Sequence, residues 1–87
     1  MRLIEERMLD ALRDRRHWQQ GNTKVDNEGR VYLHGNHIAN YTEDGIVEVN
    51  EYTLAKWPTP TTKSRLRALG ANVTTKNYTT YLNGRPL

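Results

Sequence analysis

Apolar side chains near the start of the chain recur with a helical period. Ile4, Met8, Ala11 and Leu12 follow an i, i+4, i+7 rhythm that runs on to Arg15, and Leu3 and Leu9 widen the stripe. The spacing predicts a helix over Arg2–His17. Its charge order agrees, with Glu5 and Glu6 in the first turn and Arg15, Arg16 and His17 in the last, which complements the helix dipole. Gly21 supplies the stop, and Trp18, just before it, is expected to fold back onto the apolar stripe.

Beyond Asn22 the period changes to two. Thr23-Lys24-Val25 reads as a short strand, and Asp26-Asn27-Glu28-Gly29 as a turn. Arg30-Val31-Tyr32-Leu33-His34 alternates Val31 and Leu33 onto one face. Gly35-Asn36 then fits a two-residue hairpin turn with glycine at the first central position. The chain returns through His37–Thr42, turns at Glu43-Asp44-Gly45, and runs out again through Ile46–Asn50. These segments predict an antiparallel meander of three to four strands.

Pro58 and Pro60 end any strand containing Tyr52-Thr53-Leu54. Thr61 or Thr62 is placed to cap a second short helix through Leu69, with Leu66 and Leu69 buried and Gly70 at the C′ position. Val73–Lys76 and Tyr78–Leu82 favour strands. Asn83-Gly84 is a turn, and the last residues are expected to fray. The order α-β-β-β-β-α-β-β predicts an α+β fold: an N-terminal helix, the meander, a second helix and a C-terminal β-hairpin or strand pair, with the helices packed on antiparallel sheet.

At 87 residues this is one small domain, 1–87, with a correspondingly small core. No apolar run is long enough for a membrane span, and the N-terminus becomes acidic at once, against a signal peptide. With no cysteine there is no disulfide and no thiolate chemistry. A cytosolic location is expected.

Charge separates along the chain. Residues 1–25 hold six bases and four acids, residues 26–51 one base and six acids, and residues 52–87 six bases and no acid. If the basic stretch stays uncovered by the acidic one, it attracts phosphates or acidic side chains from a distance. If the two fold onto each other, they neutralise.

Little catalytic chemistry is on offer. Ser64 is the only serine and lies outside any nucleophile elbow. His34 and His37 flank the expected Gly35-Asn36 turn and would face each other across it. A closed zinc site needs four ligands, usually including cysteine, so two polar residues beside a turn is the preferred reading. Gly21-Asn22-Thr23-Lys24 lacks the glycine-rich run of a phosphate-binding loop. No enzymatic activity and no cofactor are expected.

The strongest candidate site is the start of the second helix. Lys56, Trp57, Thr61, Thr62, Lys63, Ser64, Arg65 and Arg67 gather bases, hydroxyls and one aromatic where helix amides point outward at an anion. Lys63 and Arg67 share a face, and Lys76 adds charge from the next strand. Trp57, Tyr78 and Tyr81 are interleaved with these bases, a mixture suited to phosphates and unpaired bases. The plain structural alternative puts Trp57 in the core, makes the threonines caps and leaves the bases solvated.

Two stretches, Val31-Tyr32-Leu33-His34-Gly35-Asn36-His37-Ile38-Ala39 and Thr61-Thr62-Lys63-Ser64-Arg65-Leu66-Arg67-Ala68-Leu69, resemble segments of small accessory proteins of tailed bacteriophages. The resemblance implies a protein that acts in the host bacterial cytoplasm by binding nucleic acid or a host enzyme. It assigns no role to any residue. Two readings follow: a nucleic-acid-binding accessory module working through the basic helix start, or a protein-directed inhibitor or regulator of a host enzyme such as RNA polymerase or a defence nuclease. A hydrolase using His34 and His37 is a weaker third. Short edge strands permit a homodimer, but no hydrophobic stripe demands one.

Overall fold

The computed structural model describes residues 2–87. Helix α1 (Leu3–Arg13) leads into a five-stranded antiparallel sheet of β1 (Trp18–Gln20), β2 (Thr23–Val25), β3 (Arg30–Leu33), β4 (Asn36–Tyr41) and β5 (Val47–Val49), in sequential order. Two helices follow, α2 (Glu51–Lys56) and α3 (Pro60–Ala68). A second antiparallel sheet, β6 (Val73–Lys76), β7 (Thr79–Leu82) and β8 (Arg85–Pro86), closes the chain. The α+β architecture matches the hydrophobic pattern. No described helix is long and apolar enough to cross a membrane.

The core lies where α1 and α3 meet the inner face of the first sheet. Val25 pairs with Val31 and Thr23 with Leu33, so period-two alternation delivers these four side chains to the helices. In β4, Ile38 and Ala39 are both buried although adjacent. A bulge explains this: Val31 pairs with Ala39 but Tyr32 pairs with His37, which leaves Ile38 as the extra residue and lets two neighbours face inward. Met8, Leu12, Leu54, Leu66 and Val73 complete the buried set.

Several expectations change. The first helix stops at Arg13, four residues early, because Arg15 takes a left-handed φ of 51° and its guanidinium reaches the carbonyl of Tyr41 at 2.7 Å. Leu3 is exposed, so the apolar stripe is narrower than its composition suggested. Trp18 packs against the core as a strand residue paired with Val25, rather than as a folded-back helix end. Residues Glu51–Lys56, whose β-favouring Tyr52-Thr53 suggested a strand, form a helix. Asn50 decides this. Its side chain accepts the Thr53 N–H, and its backbone and amide donate to the carbonyls of Ile38 and His37, which pins the helix start to β4.

The β3–β4 turn is centred on His34-Gly35, not Gly35-Asn36. Leu33 pairs with Asn36, and both central residues have positive φ, the type I′ pattern that suits the twist of a hairpin. His34 therefore sits in the turn while His37 lies on β4 bonded to Asn40, so the two imidazoles do not face each other. The C-terminal residues do not fray. Arg85–Pro86 pair with Tyr81–Leu82 around an Asn83-Gly84 turn of the same type.

A third such turn joins β6 to β7 at Asn77-Tyr78, with φ of 50° and 65°. A tyrosine in this region carries a steric cost of about 1–2 kcal/mol that glycine would not.

Candidate functional site

Helix α3 begins earlier than expected, with its N-cap two residues before Thr61. Thr59 is the N-cap, its hydroxyl accepting the Thr62 N–H at 3.1 Å, and Pro60 occupies the first helical position. Lys63 N–H already bonds the Thr59 carbonyl. Pro60 has no N–H to give, so the outward amides that make a helix start an anion site are mostly spent. Of the hydroxyls expected to cradle a phosphate at this helix N-terminus, Thr61 is half-buried, and Thr62 is buried with its hydroxyl on that of Thr59 at 2.8 Å. The helix ends as expected. Gly70, at φ 103°, bonds Arg67, and the Ala71 N–H bonds the Leu66 carbonyl.

Ser64 and Arg65 turn inward. The Ser64 hydroxyl donates to Glu5 Oε2 at 2.6 Å, and Arg65 Nη1 donates to the same oxygen at 2.8 Å. Arg65 Nε also donates to the Thr23 hydroxyl at 3.0 Å, and that hydroxyl donates to Asn22. Glu5 Oε1 accepts the backbone N–H of Arg2, half of a capping box. An arginine side chain has no acceptor to complete the other half. Burial pushes the Glu5 carboxyl up. The bonds from Ser64, Arg65 and the Arg2 backbone, with the charge of Arg65, outweigh burial and hold it below its usual value. Among the described residues no buried side-chain polar atom lacks a partner. This network ties α1, α3 and β2 together, and it takes Ser64 and Arg65 away from any external ligand.

The remaining bases stay at the surface. Arg67 Nε donates to the Val73 carbonyl at 2.7 Å and Lys63 Nζ to the Thr75 hydroxyl, so both lie along β6. Lys76 is exposed on that strand and Arg85 on β8. Arg67 and Lys63 thus meet β6 at Val73 and Thr75, about 6–7 Å apart, and Lys76 ends the strand with its side chain on the face opposite that of Thr75. Tyr78, fully exposed, caps the row at the hairpin tip.

Lys56 and Trp57 belong elsewhere. Lys56 lies over the Tyr52 ring at 5.7 Å. Trp57, 47% exposed, lines a pocket of about 250 Å³ with Leu33, His34, Ile38 and Thr62, and neither Lys63 nor Arg67 borders it. The sequence segment therefore divides into three: an internal network, a strand-aligned row of cations, and a separate aromatic pocket.

The ion pairs decide how charge is presented. Among the described residues they are Arg16–Asp14, Arg30–Asp26, Arg30–Glu28 and Arg65–Glu5. None joins the acidic stretch 26–51 to the basic stretch 52–87. The acidic stretch satisfies part of its own charge through Arg30, while Glu43, Asp44, Glu48 and Glu51 stay exposed. Asp26, buried beneath Arg30, is pushed up by burial but held lower still by hydrogen bonds from Arg30 and Glu28. No group of three or more histidines and carboxylates among the described residues is arranged to hold a metal ion.

Fold and side chains together define a small α+β protein with an internal ionic clamp and exposed cations on and around β6. The chain belongs to the Kyanoviridae Gp96 protein family, whose model matches residues 1–87. Kyanoviridae is a phage family, in line with the resemblance carried by Val31–Ala39 and Thr61–Leu69. No curated protein and no solved structure matches the chain.

Proposed function

We propose that this protein is a non-enzymatic accessory module that binds nucleic acid in the host cytoplasm through the cations along β6. One observation carries the reading. Among the described residues, Arg65 alone of the six bases in residues 52–87 meets a carboxylate, and the other five are left to attract a polyanion. Lys63, Arg67 and Lys76 contact phosphates. The reading departs from the sequence expectation in its geometry: the charge works from the flank of α3 and from the strand, not from the helix start. The engagement of the single serine with Glu5 supports a binding role over nucleophilic catalysis.

The test is anisotropy of a labelled single-stranded oligonucleotide, read across a salt series. Affinity should fall with salt by a slope of about 0.7 per phosphate neutralised, and the combined Lys63→Gln, Arg67→Gln, Lys76→Gln variant should lose most of it. Absent binding at low salt, or binding indifferent to salt, overturns the proposal.

A second reading rests on the exposed Glu43, Asp44, Glu48 and Glu51, an acidic surface suited to the basic channel of a host enzyme. A host protein retained on the immobilised chain after nuclease treatment, and released by neutralising those four acids, would favour it.

A further inference from the structure

We infer that Tyr78 is a stacking platform for an unpaired base, so that the ligand of the cationic strand is a single-stranded nucleic acid. The inference rests on the nucleic-acid reading above and names its ligand class. Tyr78 is the most exposed of the exposed large hydrophobic residues, with a relative accessibility of 104%. It makes no hydrogen bond or ring contact among those described, so packing does not account for a tyrosine there.

Its backbone argues the same way. Tyr78 holds φ at 65° in a two-residue turn. Six residues later the chain builds the same kind of turn from Asn83-Gly84, placing glycine where the geometry asks for it. Asn77-Tyr78 forgoes that relief and puts an aromatic ring at the tip instead. Strained positions of this kind persist where the side chain is needed.

Location supplies the third argument. The turn closes β6, so the ring stands two positions past Lys76 and three past Thr75, which Lys63 bonds. A row of cations ending in a flat, solvated ring is the arrangement that tracks a phosphate backbone and receives a base from it. Stacking of this kind tolerates any base, because every base has a π face. A duplex keeps its bases stacked on each other and offers none to the ring.

The test compares Tyr78→Gly and Tyr78→Trp with the unaltered protein, using a labelled oligo-dT strand and inorganic polyphosphate as a polyanion without bases. Tyr78→Gly should raise the melting temperature, since glycine accepts positive φ, yet weaken oligo-dT binding about tenfold or more. Polyphosphate binding should not change, and Tyr78→Trp should keep oligo-dT affinity. A turn residue without a ligand would give the thermal gain and no loss of affinity. Equal oligo-dT binding by Tyr78→Gly and the unaltered protein overturns the stacking role and leaves the cationic strand standing. Failure of the unaltered protein to bind either polyanion at low salt overturns both.

Discussion

Glu5 and Arg65 meet across the core at 2.8 Å, sixty positions apart in sequence, with side chains only 3% and 4% exposed. Removing one member leaves the other charge buried without its partner. Arg65→Met should therefore cost about 3–5 kcal/mol of stability, whereas Glu5→Leu with Arg65→Met, which removes both charges, should recover most of that loss. Urea denaturation of the two variants is the check. A double variant no more stable than the single would mean that the clamp is needed for the fold itself.

Acid should weaken the protein through two carboxylates. Glu5 and Asp26 are both held below their usual values in the folded chain. Their contribution is complete above the unfolded values, about 4.3 for Glu and 3.9 for Asp. It is lost as pH falls through the depressed folded values, where the native state must take up protons it resists. Denaturation midpoints measured from pH 7 down to pH 2 should stay level at first and then drop below about pH 4.5. Glu5→Gln should begin from lower stability and show a shallower acid limb.

Gly29 and Gly35 offer a matched pair. Both hold positive φ, so alanine strains either backbone. A methyl group at Gly29 would also lie 2.2 Å from Arg15 Nη1 and from the Tyr41 carbonyl oxygen, whereas nothing lies within 4 Å at Gly35. Gly35→Ala should cost about 1 kcal/mol, the price of the backbone conformation alone. Gly29→Ala should cost about 2–5 kcal/mol, because it adds overpacking and displaces the Arg15–Tyr41 bond. Thermal melts of both variants separate the two contributions.

Neutralising the exposed acids tests whether the charged surfaces act independently. With Glu43, Asp44, Glu48 and Glu51 changed to their amides, oligonucleotide binding should tighten by less than about threefold at physiological salt, since charges beyond about 8 Å are largely screened. A larger gain would place the acidic surface close to the bound strand.

The buried pair also shows what the pattern of residues contained. Glu5, Met8, Leu9 and Leu12 share an i, i+3, i+4, i+7 face, and so do Thr62, Arg65, Leu66 and Leu69. Each charged residue stands where its helix faces inward, and all eight are buried. The periodicity carried that signal, but charge type suggested a dipole partner for Glu5 and a phosphate contact for Arg65. Residue type prevails only where the helix face is free to reach water.

By itself the sequence determined the α+β class, strands β2 to β5 of the meander, the α3 stop at Gly70 and the separation of acidic from basic stretches, because these follow from local period, turn chemistry and composition. Tertiary structure alone decided which bases remain available. Arg65 was drawn inward by a carboxylate sixty residues away, Thr59 and Pro60 consumed the helix start, and Asn50 turned a β-favouring stretch into α2 by anchoring it to β4. Those outcomes depend on partners that only folding brings within hydrogen-bond range.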